Sequence, residues 1–91
     1  DTVAARAVLW HGRLYSRNTE LANRYGAAAG ALRAATDKEW YKKGFLPKGK
    51  TTIIADIDFE YANALMLQNG PDWKLALQFL QGHAFAVRVV E

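Results

Sequence analysis

Cysteine is absent from the 91 residues, which removes a disulfide framework, a thiolate zinc site and a cysteine nucleophile together. That absence fits a reducing compartment without requiring one. Serine occurs once, at Ser16, and histidine twice, at His11 and His83, so the stock for nucleophilic or acid–base catalysis is small. No spacing brings these residues together, and neither a catalytic residue nor a cofactor is expected. No stretch approaches the roughly 20 consecutive apolar residues of a membrane span, and Arg6, Arg13, Arg17, Arg24 and Arg33 interrupt the N-terminal half. No membrane partner is expected. A signal-peptide pattern is also missing. Asp1 stands where a Met would open a full translation product, as in a processed or excised segment.

What is present is enough for one domain spanning 1–91. Hydrophobic residues make up 51% and aromatics 12%, which supports a packed core and excludes wholesale disorder. A chain this short buries only roughly 60 to 65 per cent of its unfolded surface, so the margin of stability is thin. Twelve Lys and Arg against nine Asp and Glu give a net charge of +3, mild beside dedicated nucleic-acid binders. The local pattern says more. Five lysines and one acid, Glu39, lie between Lys38 and Lys50, and the acids Asp56, Asp58 and Glu60 follow.

Val3, Ala7, Trp10, Leu14, Leu21, Ala28 and Leu32 recur at spacings of three, four or seven, which marks one helix face. A long helix from Thr2 to about Ala35 is expected, with a break near Gly12 or Asn18. The competing reading makes 7–10 and 13–16 two short strands around His11-Gly12. Residues 37–50 form a connector punctuated by Gly44, Pro47 and Gly49. From Thr51 to Tyr61 the odd positions Ile53, Ala55, Ile57, Phe59 and Tyr61 are apolar, and Thr52, Asp56, Asp58 and Glu60 are polar, which predicts a strand. Helix formers from Ala62 to Gln68 run into a stop at Asn69-Gly70. Pro71 suits a first helical turn, and Trp73, Leu75, Ala76, Leu77, Phe79 and Leu80 supply a buried face before Gly82. The β-branched and aromatic residues from Ala84 to Val90 predict a last strand, antiparallel to the first. The fold class expected is α+β: a long N-terminal helix, with or without a break, packed on a small antiparallel sheet with one or two further short helices.

Gly44 to Thr51 matches the phosphate-loop pattern, in which backbone N–H groups and a lysine cradle phosphates between a strand and a helix. The flanks do not read that way: Glu39 to Lys43 is no buried strand, and after Thr51 the period is two. A phosphate-loop nucleotide-binding protein is therefore the third reading. Over the same stretch Trp40, Tyr41 and Phe45 interleave with Lys42, Lys43, Lys48 and Lys50. Cations can neutralise phosphates there while aromatic faces stack on bases, which makes the segment a candidate nucleic-acid or partner site. The alternative is a solvated loop whose aromatics fold back on the core. Asp56, Asp58 and Glu60 would share one strand face; as the wet face of a half-buried strand they need no metal, and none is assigned. Gly26 and Gly30 let another element approach the helix closely, from the same chain or from a neighbouring subunit.

Gly30-Ala31-Leu32-Arg33 at a helix end, a loop, a strand, and Tyr61-Ala62 leading to Asn69-Gly70 resemble the tail-completion and minor capsid proteins of the head-to-tail joint of tailed bacteriophages. The resemblance spans about residues 20–70. It implies a structural role in a virion, with assembly into a ring through strand edges and the long helix, and with Gly30, Leu32, Arg33, Tyr61 and Ala62 at the assembly positions. It also implies that the basic segment faces a neighbouring subunit or packaged DNA. A second likeness, from Phe45 to Ala55, resembles the strand that leads into the phosphate loop of hexameric replicative ATPases. Asp56-Ile57-Asp58-Phe59 stands where that family has its glycine-rich loop, so nucleotide binding does not carry over. The leading expectation is a non-enzymatic assembly module with a protein partner or further copies of itself. A small nucleic-acid-binding protein using 40–50 is the alternative.

Overall fold

The computed structural model describes the backbone of residues 2–42 and 51–80. Among these residues the chain is helical and contains no strand, which corrects the α+β expectation. Helix α1 spans Thr2–Ser16, α2 Arg24–Thr36, the single turn α3 Glu39–Lys42 and α4 Thr51–Leu67. A further helix, α5, covers residues 73–80. Helices α1, α2 and α4 pack against one another around one apolar core.

The break expected near Asn18 falls there, and Gly12 lies within an unbroken helix. Asn18 ends α1 by turning its side chain on the backbone: its Oδ1 accepts from the Glu20 N–H at 3.2 Å, and its carbonyl accepts from the Leu21 N–H at 3.0 Å. A short polar side chain competes with helix in this way. The strands offered as an alternative for 7–10 and 13–16 are both part of α1. Helix α2 begins after Asn23, whose φ of 50° lies in the left-handed region that Asn tolerates better than most residues.

Gly12 serves packing. A Cβ there would stand 2.6 Å from Cγ and Cδ2 of Leu32, which is buried at the centre of the core. The α2 side of this contact is built from Ala28, Ala29, Leu32 and Ala35, all buried. Small residues on both helices let the backbones approach closely.

The expected strand at 51–60 is the first part of α4, which runs 17 residues to Leu67. Ile53, Ile57, Tyr61 and Leu65 are buried at a spacing of four, joined by Ala62 and Ala64. A spacing of four is also a multiple of two, so a helix face can mimic strand alternation over one short window. Phe59, which alternation places with the core residues, is instead 47% exposed. The expected final strand at 84–90 lies outside the described residues.

Helix α4 stops where expected, with Gly70 at φ 70°. The Asp72 N–H then donates back to the Leu65 carbonyl at 3.0 Å, and Asp72 Oδ1 accepts from the Leu75 N–H at 3.1 Å, capping α5. The cap is thus Asp72, one residue after Pro71. Of the face expected for α5, Ala76 is buried and Leu75, Phe79 and Leu80 pack on the core, whereas Trp73 and Leu77 are exposed.

Candidate functional site

The helical form of α4 separates the acids that a strand would align. Successive helix residues are about 100° apart, so Asp58 lies well round the helix from Asp56 and Glu60. Asp58 accepts a hydrogen bond from the Tyr41 hydroxyl of α3. Glu60 accepts from Arg13 Nε of α1 at 3.2 Å, a partly buried ion pair between helices. Asp56 is exposed. Among the described residues no group of three or more His, Asp or Glu could hold a metal ion.

Tyr41 and Asp58 line a shallow cavity of about 290 Å³ with Leu75, Gln78 and Phe79, where α3, α4 and α5 meet. Burial, then the hydrogen bond and charge of Asp58, push the Tyr41 hydroxyl well above the usual phenol range. The Tyr61 hydroxyl is also raised, chiefly by burial; Arg33 opposes the shift, and Asp72 and Asp37 add to it. Both phenols stay protonated at neutral pH. The pair is suited to fixing α3 on α4.

Of the basic aromatic segment, Trp40, Tyr41 and Lys42 are described. Trp40 and Tyr41 are partly buried and pack against the core, with ring centroids 6.3 Å apart, and Lys42 is exposed. Lys43, Phe45, Lys48 and Lys50 lie outside the described residues, as does most of the phosphate-loop match. The described flanks of that match are helix α3 before it and helix α4 from Thr51. The period-of-two argument against it therefore does not hold, and the missing strand before it is what still counts against a phosphate loop.

The positions named by the phage resemblance divide in two. Leu32, Tyr61 and Ala62 are buried in the core of the chain itself, with the Tyr61 ring 4.8 Å from that of Phe79. Gly30 and Arg33 are exposed on α2, and a Cβ at Gly30 would meet nothing within 4 Å. The segment that leads into Tyr61-Ala62 is helix, so there is no strand edge at this place to build a ring.

The outer face of α1 supplies a site that periodicity marked as one helix face without saying which way it turns. Val3, Trp10 and Leu14 are 78%, 52% and 69% exposed, whereas Ala5, Leu9 and Gly12 are buried and Val8 and Tyr15 pack against the core. Two of the three buried positions, Ala5 and Gly12, carry little hydropathy, so the outward residues weigh heavily in the sequence pattern. Trp10, Arg13, Leu14, Arg17 and Asn18 line a groove of about 190 Å³, and the Arg13 guanidinium lies 5.2 Å from the Trp10 ring centroid. The signal in the sequence that points outward is the arginine content: Arg6, Arg13 and Arg17 follow the same side of the helix as the stripe.

Comparison with protein-family models, curated proteins and solved structures gave no match to this chain. Among the described residues no helix is long and apolar enough to cross a membrane.

Proposed function

We propose that this chain is a non-enzymatic assembly module, a helical bundle that works by docking a partner protein on the outer face of α1. The observation that carries the reading is the exposed stripe Val3, Trp10 and Leu14. Folding leaves these large side chains in water, and an apolar patch of this kind on a small domain marks an interaction surface. The resemblance to head-to-tail joint proteins supports the same class of role on sequence alone. In a virion the joint would run through helix faces, given where α4 lies.

Native purification of the wild-type chain and of Leu14→Ser from the host tests the reading. The wild type is expected to elute with a stoichiometric protein, or further copies of itself, that Leu14→Ser lacks at equal thermal stability. Nuclease-sensitive co-elution that responds to Lys42→Glu and ignores Leu14→Ser would establish the nucleic-acid alternative instead. Identical elution of both chains as bare monomers also overturns the proposal.

A further inference from the structure

The geometry points to a specific partner chemistry for this face: an acidic amphipathic helix, with apolar residues seated along Val3, Trp10 and Leu14 and carboxylates against Arg6 and Arg17. The inference rests on the docking role proposed above and narrows it. Relative to Trp10, Arg6, Arg13 and Arg17 fall within about 60° on one side of α1, and Val3, Ala7 and Leu14 fall within about 60° on the other. The face is thus an apolar strip with a cationic border along one edge. From Val3 to Leu14 it runs about 16 Å, three turns of a facing helix.

The charge that α1 itself brings to this border has one sign. No Asp or Glu occurs from residue 2 to residue 19. Glu60 of α4 reaches this side of the bundle and is already paired with Arg13, whose guanidinium stays beside the Trp10 ring. Arg6 and Arg17 are exposed and form no ion pair among the described residues. Arg17 lines the groove with Trp10 and Leu14, so a carboxylate beside an apolar side chain would meet both groups at once. Such a partner matches charge to charge and apolar surface to apolar surface, the arrangement that sets register when a helix lies in a groove.

Other occupants match less of the face. A second copy laid α1 to α1 would supply no carboxylate from residues 2–19, and in the antiparallel arrangement would bring two arginine borders together. A nucleic acid would use the arginines and Trp10 but leave the aliphatic Val3 and Leu14 without a role. A lipid surface would take both, but three large apolar residues held on a rigid bundle make a weak anchor, and stable attachment ordinarily combines two signals.

The test is a titration at low salt with a labelled synthetic helix carrying leucine at i and i+4 and glutamate on the flanks. Its comparison ligands are a scrambled peptide of the same composition, poly-glutamate, phosphatidylserine-containing vesicles and a single-stranded oligonucleotide. The patterned helix is expected to bind about tenfold tighter than the scrambled one, and Leu14→Ser and Arg17→Glu each to weaken it about tenfold. Lys38→Glu and Lys74→Glu, equal charge changes on exposed residues elsewhere, should alter it less than about twofold. Should Arg17→Glu disturb folding, Arg17→Gln replaces it. Equal weakening by all the charge variants, tighter binding to vesicles or oligonucleotide, or no binding of the patterned helix would overturn the inference. If the host purification still separates wild type from Leu14→Ser in that case, the docking role survives and only the acidic partner is lost.

Discussion

At the scale of single residues, the structure turns on where particular side chains point. Ile57 is fully buried, and Phe59, two residues on, is 47% exposed. In a strand the two would share a face and respond alike. In α4, Ile57→Ser should cost about 3 kcal/mol or more and Phe59→Ser less than about 1 kcal/mol, measured by urea unfolding. Similar losses at both positions would restore the strand. Gly12 gives a second case. Alanine normally improves a helix interior by about 1 kcal/mol over glycine. Here the added methyl meets the buried Leu32 side chain at 2.6 Å and forces it to shift, so Gly12→Ala is expected to destabilise by about 1 to 2 kcal/mol net. A more stable Gly12→Ala chain would mean the helices are further apart than described.

Tyr41 carries the pH dependence. Its folded pKa is raised above the unfolded value of about 10, first by burial and then by Asp58, so the fold favours the protonated phenol. That contribution is complete below pH 10 and is lost as pH rises above 10 towards the folded value. Tyr41→Phe should lower stability at pH 7 by about 1 to 2 kcal/mol through the lost hydrogen bond and should flatten the alkaline fall. The flattening is partial because Tyr61 is raised as well. Unfolding curves from pH 8 to 11.5 measure both effects.

At the scale of elements, the joints between helices are set by a few polar contacts. Asn23, before α2, accepts from the Asn69 N–H at 2.9 Å, tying the α1–α2 corner to the end of α4. A Cβ at Gly26 would fall 2.3 Å from Asn23 Nδ2, so Gly26→Ala should displace that side chain and weaken the tie. Gly30, one turn on, has open space around it, and Gly30→Ala should raise the melting temperature by a few degrees. If Gly30 is an assembly contact, as the phage resemblance implies, the same stabilised variant should fail to assemble.

The elements were unequally legible in the sequence. The helical character of Thr2–Ser16 and Arg24–Thr36, the break at Asn18 and the stop at Asn69-Gly70 follow from spacing and from residues with a local mechanism, and they lie where expected. Helix α4 was hidden because Ile53, Ile57 and Tyr61 satisfy both a period of two and a spacing of four, and because the run opens on the β-branched residues Thr51 to Ile54. Only its continuation through Ala62, Ala64 and Leu65 decides the matter. The outer stripe of α1 was visible as a pattern, but the pattern does not say which face is inward. Packing decides that through Gly12 and the alanines of α2, whose small size gives a weak signal. The pairs Tyr41 with Asp58 and Arg13 with Glu60 join residues far apart in sequence, and no local feature announces them.

At the scale of the molecule, α1, α2 and α4 enclose a core with no buried polar side chain among the described residues, and α1 turns a cationic apolar strip outward. The most direct measurement is the mass, by light scattering, of the species that the wild-type chain and Leu14→Ser each form when purified natively from the host. The account predicts a wild-type complex well above the chain mass of 10.2 kDa, with Leu14→Ser at the chain mass and equally helical by circular dichroism. Equal masses for the two chains would contradict it.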